Sequence, residues 1–145
     1  MKKFELTNEF ITNMFGTKLF RIRALVEFGD VEAGELGGYV EKESNLGHDD
    51  NAWVYDNAWV YGDARVCGDA RVCGNGDYAY AHGFGSANRT TTFFRLKDGG
   101  VGVRCGCFYG TLAQFRDKIR ETHGETKKAQ EYLMLADLMK LRFEK

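Results

Sequence analysis

The chain has 145 residues, a net charge of −1 and a pI near 6.3, so its composition gives no general attraction for nucleic acid or anionic membranes. Hydrophobic residues make up 43%, which excludes gross disorder and suits a single domain. The sequence shows neither an N-terminal apolar run typical of a signal peptide nor a stretch that could cross a bilayer. We therefore expect a cytoplasmic protein whose four cysteines are thiols.

Residues 1–34 are predicted to form an N-terminal β region. Polar and apolar residues alternate in part over residues 18–25, and a Phe-Gly-Thr turn signal precedes them. A glycine-containing loop over residues 29–38 then leads into the middle of the chain. Eighteen glycines and no proline favour a chain that turns often and keeps its N–H groups available for strand pairing.

The middle of the chain repeats one six-residue phrase four times. The phrases begin at Asn51, Asn57, Asp63 and Asp69 and read NAWVYD, NAWVYG, DARVCG and DARVCG. A period of six equals one short strand plus one corner, and it predicts a parallel β-helix over residues 35–88. In that architecture the valine and alanine of each phrase point inward. The Gly-Asp and Asp-Asn pairs lie at corners, because these residue types tolerate unusual backbone angles.

Residues 89–145 are predicted to form a β-hairpin followed by two α-helices. Two β-rich stretches within residues 91–108 flank a Lys-Asp-Gly-Gly turn. Thr111, followed three residues later by Gln114, is typical of a capping box at the start of a helix. A second helix is predicted over residues 126–143, and the helix pair should cover an open end of the repeats.

The repeated phrases resemble those of the hexapeptide-repeat proteins, in which a small residue follows an aliphatic one four positions later, as Ala58 follows Val54. The whole layout more closely resembles small proteins of phages and mobile elements. Those join an entry such as Leu-Gly-Gly-Tyr-Val-Glu to Asn-Ala-x-Val-Tyr-Gly repeats and then to Gly-Cys-Phe-x-Gly-Thr-Leu, and here these segments begin at Leu36 and Gly106. The resemblance implies a left-handed β-helix, which the spacing itself does not show, and a homo-oligomer such as a trimer.

The outward positions of the predicted β-helix carry more aromatic surface than solubility favours. We expect them to form a subunit interface, a ligand pocket between subunits, or both. In a pocket the aromatic faces would stack a base, and Arg65 or Arg71 would hold a phosphate or carboxylate. The predicted interface or ligand-binding residues are Trp53, Tyr55, Trp59, Tyr61, Arg65 and Arg71.

Two histidines offer an alternative as catalytic bases. Hexapeptide acyltransferases, whose repeats these phrases resemble, use a histidine at a subunit groove as the general base. His48 and His82 are placed where either could reach such a groove. The repeats are short for that enzyme class, so a structural or surface role is favoured for each. Cys105 and Cys107 form a Cys-x-Cys pair, which alone is a weak metal signal, so neither a metal nor a cofactor is expected.

The sequence therefore predicts a non-enzymatic oligomeric binding protein that sequesters a small anionic or nucleotide-like molecule. The resemblance to phage proteins adds an anti-defence role. A hexapeptide-type acyltransferase is one alternative, and a scaffold that inhibits a host defence protein is another. Neither a membrane nor nucleic acid in general is expected as a partner.

Overall fold

The computed structural model describes residues 2–84, 89–106 and 108–144, so Cys107 and part of the predicted repeat region lie outside the described residues. Strands make up most of the described secondary structure, and two helices follow them. In chain order these elements are β1 (Phe4–Thr12), β2 (Lys18–Ala24), β3 (Leu36–Val40), β4 (Trp53–Val54), β5 (Trp59–Val60), β6 (Arg71–Val72), β7 (Tyr78–Phe84), β8 (Arg89–Arg95), β9 (Val101–Cys105), β10 (Phe108–Thr111), α1 (Leu112–His123) and α2 (Lys127–Phe143).

The first sheet has the strand order β1-β2-β3-β5 and contains the predicted N-terminal β region. β1, β2 and β3 are antiparallel neighbours, and Phe20 of β2 lies opposite Val40 of β3. β5 joins the other side of β3 in parallel, which places Val60 next to Val40. The sheet therefore ties the N-terminal hairpin directly to the repeated phrases.

The predicted parallel β-helix over residues 35–88 is wrong, and so is the left hand that the resemblance implied. The sheets of the described chain are mostly antiparallel. Parallel pairing is limited to β3 with β5, β4 with β6, and a bridge between Leu46 and Val66. The four phrases supply a single pairing of one phrase on another, β4 with β6, which is too short for a continuous parallel stack. Antiparallel pairing occurs on both sides of this region, between β2 and β3 and at a bridge between Ala70 and Leu96.

The valines and alanines of the phrases are buried, as predicted, but Trp53 is buried with them rather than pointing outward. The rings of Phe4 and Phe28 pack edge-on against the Trp53 indole, with centroids 6.3 and 5.2 Å away. The N-terminal segments therefore cover what the repeat pattern alone predicts to be surface. The buried phrase residues are Ala52, Val54, Ala58, Val60, Ala64, Val66, Ala70 and Val72.

The second sheet has the order β10-β9-β8-β7 and is antiparallel throughout. The predicted C-terminal hairpin is its β8–β9 pair, and both predicted helices are confirmed. Thr111 Oγ1 accepts a hydrogen bond from the Gln114 N–H, and Gln114 Oε1 accepts one from the Thr111 N–H. Phe115 of α1 and Tyr132 of α2 form a second core with Phe93 of β8. No helix within the described ranges is long and apolar enough to cross a membrane.

Candidate functional site

The structure divides the six predicted site residues among different places. Trp53 lies in the core, and Arg65 is exposed, with its backbone N–H donating to Thr92 Oγ1 at 2.9 Å. Two pairs are brought to surface depressions. Tyr55 and Arg71 line one, which we call the charged cleft, and Trp59 and Tyr61 line another, which we call the aromatic groove.

The charged cleft has a volume of about 610 Å³ and lies where four parts of the chain meet. Pairing of β4 with β6 places Tyr55 beside the end of β6, and the Tyr55 N–H donates to Val72 O at 2.7 Å. The turn between β8 and β9 closes another wall, because the Lys97 N–H donates to Asp69 O at 3.0 Å. The lining residues are Gly29, Asp30, Asn51, Tyr55, Asp69, Ala70, Arg71, Leu96, Lys97 and Asp98.

Two cationic side chains converge on one carboxylate oxygen in this cleft. Arg71 Nη2 lies 3.6 Å and Lys97 Nζ lies 3.5 Å from Asp30 Oδ2. The Arg71 guanidinium also sits over the Tyr55 ring, 5.0 Å from its centroid. Burial raises the pKa of Tyr55 while Arg71 acts in the opposite direction, so the hydroxyl stays protonated at neutral pH. The arrangement holds an anionic oxygen between two cations and beside an aromatic ring.

The opposite charge is also present at the cleft. Asp69 and Asp98 both line it, and neither carboxylate forms an ion pair within the part of the chain that the structure describes. The Asp98 carboxylate accepts the Gly100 N–H at 2.8 Å, which fixes it within the β8–β9 turn. Carboxylates accept hydrogen bonds, so these two side chains suit the donor groups of a ligand.

A buried lysine holds the segment that carries Asn51 in the cleft wall. Lys3 is 2% exposed, and its Nζ donates to Asp50 O at 2.9 Å, to Ala52 O at 2.6 Å and to Asp50 Oδ1 at 3.3 Å. Burial lowers the pKa of Lys3, and the nearby Asp50 carboxylate opposes that shift. Asp50 Oδ2 in turn accepts the Gly68 N–H at 2.7 Å. These bonds fix the corner before β4 against the N-terminal strand.

The aromatic groove has a volume of about 410 Å³. The sequence predicted two of its lining residues, Trp59 and Tyr61, but not the others. The rings of Tyr61 and Tyr80 meet edge to face, 6.5 Å apart and at 89°. Burial raises the pKa of Tyr78, so its hydroxyl also stays protonated. The sequence could have revealed Tyr78 and Tyr80, because alternate residues of a strand share a face. No local pattern points to Arg142, which arrives from the end of α2.

The two histidines predicted as alternative catalytic bases, His48 and His82, each contact a neighbouring segment of the chain. The His48 ring stacks on Phe4 with centroids 4.3 Å apart, and its Nδ1 accepts the Lys3 N–H at 3.1 Å. His48 Nε2 lies 3.5 Å from a Glu43 carboxylate oxygen. His82 Nδ1 lies 2.7 Å from Thr90 Oγ1 across the β7–β8 pair. Neither ring lines the charged cleft or the aromatic groove.

The described cysteines Cys67, Cys73 and Cys105 form no disulfide. Cys67 is buried beside Arg104, whose Nη1 is 3.8 Å from the sulfur, and burial raises the pKa of this thiol. Cys105 accepts a hydrogen bond from Thr91 Oγ1 at 3.3 Å. Within the described ranges no group of three His, Cys, Asp or Glu side chains could hold a metal ion.

Neither the known family models nor the curated protein sequences give a match to this chain. The assignment to the hexapeptide-repeat proteins, and to the similar phage and mobile-element proteins, is therefore wrong. No family model supports it, and the mostly antiparallel sheets differ from the fold that it implies. The chemistry of the two surface depressions is left as the guide to function.

Proposed function

We propose that the protein is a non-enzymatic binding protein that captures a small anionic, nucleotide-like molecule in the charged cleft. The observation that carries this proposal is the convergence of Arg71 and Lys97 on Asp30 Oδ2 beside the Tyr55 ring. Arginine and lysine are the side chains that most often hold phosphate and carboxylate groups. The Asp30 carboxylate occupies the place that the anionic group of a ligand would take.

The remaining lining residues define the rest of the ligand. The Tyr55 ring and the Leu96 side chain offer apolar contact for a flat ring, and aromatic stacking of a base contributes about 1–3 kcal/mol. Asp69 and Asp98 would accept hydrogen bonds from the ring's amino or imino groups. Because these carboxylates would repel a polyanion, the cleft suits a ligand with one anionic group, such as a nucleoside monophosphate.

The lining also favours binding over catalysis. Among the described residues that line the cleft there is no histidine, cysteine or serine to act as a nucleophile or a base near neutrality.

We also propose a cytoplasmic location, which the free thiols of Cys67, Cys73 and Cys105 support.

Isothermal titration with adenosine monophosphate, adenosine and inorganic phosphate tests this proposal. The monophosphate should bind more tightly than either fragment, because only it uses both the cations and the ring. Arg71→Gln should weaken binding about tenfold or more, since a hydrogen bond to a charged group contributes about 1.5–3 kcal/mol. Asp30→Asn should strengthen binding, because it removes the competing carboxylate.

Arg65→Gln is the matched control, because Arg65 is an exposed arginine of the preceding phrase and does not line the cleft. It should leave the affinity unchanged. Equal losses for Arg65→Gln and Arg71→Gln would show nonspecific charge attraction instead. Weaker binding by Asp30→Asn would refute the assignment of the anion site.

A further inference from the structure

The tip of the β1–β2 hairpin exposes two large apolar side chains. Met14 is 89% exposed and Phe15 is 85% exposed, and Phe10 beside them is 47% exposed. The turn itself is well fixed, since Asn13 Oδ1 accepts the N–H groups of Phe15 at 2.9 Å and Thr17 at 3.0 Å. A preorganised apolar tip loses little conformational entropy when it binds, which favours its use as an interface anchor.

The aromatic groove offers a matching surface. Tyr61 and Tyr80 are each 37% exposed, and Tyr78 lies below them with its ring buried. Methionine sulfur and phenyl rings both pack favourably against aromatic rings. The groove volume of about 410 Å³ is of the size that two large side chains would fill.

The tip and the groove lie at the same end of the first sheet. Phe20 lies opposite Val40, and Val40 lies opposite Val60. Because β2 runs antiparallel to β3 and β5, the chain that precedes Phe20 and the chain that follows Val60 leave the sheet at the same end. A patch that carries both a projection and a depression is self-complementary, as the interface of a two-fold dimer must be.

The charges beside the two surfaces are also complementary. Lys18 stands at the base of the tip with its Nζ 4.9 Å from the centroid of the Phe10 ring. Glu41 and Asp63 lie near the Tyr80 hydroxyl, where their negative charges help to raise the pKa of this tyrosine. Lys42 pairs with Asp63 at 3.3 Å, which leaves Glu41 as the carboxylate that Lys18 of a second copy would meet, while Arg142 also lines the groove.

We infer that a second copy of this chain docks here, and that each copy inserts Met14 and Phe15 into the aromatic groove of the other. With roughly 200 Å² for a fully exposed large side chain, Met14, Phe15 and the two tyrosines would bury roughly 500 Å² per copy. A symmetric pair would then bury roughly 1,000 Å², about the least area that a specific interface needs. The inference concerns a different surface from the charged cleft and does not depend on it.

Light scattering after size exclusion tests the inference on the full chain. The wild type should have twice the 16.4 kDa mass of one chain. The double variant Met14→Ser, Phe15→Ser and the double variant Tyr61→Ser, Tyr80→Ser should each raise the dissociation constant at least tenfold. Circular dichroism would confirm that both remain folded. The control Met134→Ser, Leu141→Ser alters two α2 residues that are 70% and 69% exposed and should leave the dimer intact.

Mixing the tip variant with the groove variant distinguishes tip-in-groove docking from tip-to-tip docking. The mixture keeps one intact tip and one intact groove, so it should recover a heterodimer that neither variant forms alone. A monomeric wild type would overturn the inference. So would a groove variant that stays dimeric, a mixture that stays monomeric, or a monomer that binds anionic phospholipid vesicles through its tip.

Discussion

Replacement of Lys3 by methionine should destabilise the protein far more than the same replacement at Lys2. Lys3 Nζ is buried and donates to Asp50 O, Asp50 Oδ1 and Ala52 O. Methionine has a similar length but no donor, so the change leaves the Asp50 carboxylate without its cation and leaves two carbonyl oxygens without this donor. The methionine side chain itself should still pack against Phe28, which the lysine contacts now.

The structure sets the size of the expected loss. Removing one partner of a buried ion pair costs about 3–5 kcal/mol. The Asp50 side chain is 26% exposed, and its two oxygens keep the N–H donors of Ala52 and Gly68. Water and these donors compensate part of the loss, so we expect the lower end, about 3 kcal/mol. For a chain of this length that corresponds to a fall in Tm of about 6–12 °C.

Chemical and thermal denaturation followed by circular dichroism measure this loss. Lys2 pairs with Glu43 at 3.2 Å at the surface, where the two side chains are 63% and 44% exposed. Lys2→Met should therefore cost less than about 1 kcal/mol. Equal stability of the Lys2 and Lys3 variants would refute the reasoning, because it would mean that the Lys3 hydrogen bonds contribute nothing net.

Three further predictions concern packing, pH and capping. Gly38→Ala should lower the free energy of unfolding in urea by about 1–3 kcal/mol, because the added Cβ would lie 2.5 Å from the carbonyl oxygen of Ala58. The control Gly74→Ala, whose Cβ would meet nothing within 4 Å, should lower it by less than about 1 kcal/mol. Burial raises the pKa of Tyr78 above 10.0, so the buried neutral hydroxyl contributes to stability below pH 10.0 and this contribution is lost at higher pH. Tyr78→Phe should therefore flatten the alkaline decline of the urea midpoint. Thr111→Ala should lower the free energy of unfolding by about 1 kcal/mol, and a fully retained urea midpoint would mean that the cap of α1 contributes nothing.

The parts of the fold that depend on neighbouring residues could be predicted from the sequence. Thr111 and Gln114 are three residues apart, and their reciprocal hydrogen bonds start α1 where the pattern indicates. The buried valines and alanines followed from the period of the phrases. The strand arrangement could not be predicted, because β2 pairs with β3 and Leu96 pairs with Ala70 from distant parts of the chain.

The candidate site was predictable to a similar extent. Tyr55 and Arg71 do meet, because β4 pairs with β6 and places Trp53 opposite Arg71. The repeat pattern places Trp53 on the surface, because it does not reveal that Phe4 and Phe28 cover this side chain. Lys97 in the cleft and Arg142 in the groove come from distant elements, and the sequence around the repeats does not predict that they line these depressions. A period thus indicates which residues share a face but not what lies against that face.

A titration of the isotope-labelled protein with adenosine monophosphate, followed by amide resonances in two-dimensional NMR, tests the proposed binding site most directly. If the charged cleft binds the ligand, the shifted resonances should cluster at its lining residues, above all Tyr55, Arg71 and Lys97. The Arg71→Gln variant should then need about tenfold more ligand, or more, to reach the same shifts. Shifts confined to the groove tyrosines Tyr61 and Tyr80, or an unchanged titration midpoint in the Arg71→Gln variant, would contradict the assignment of function to the cleft.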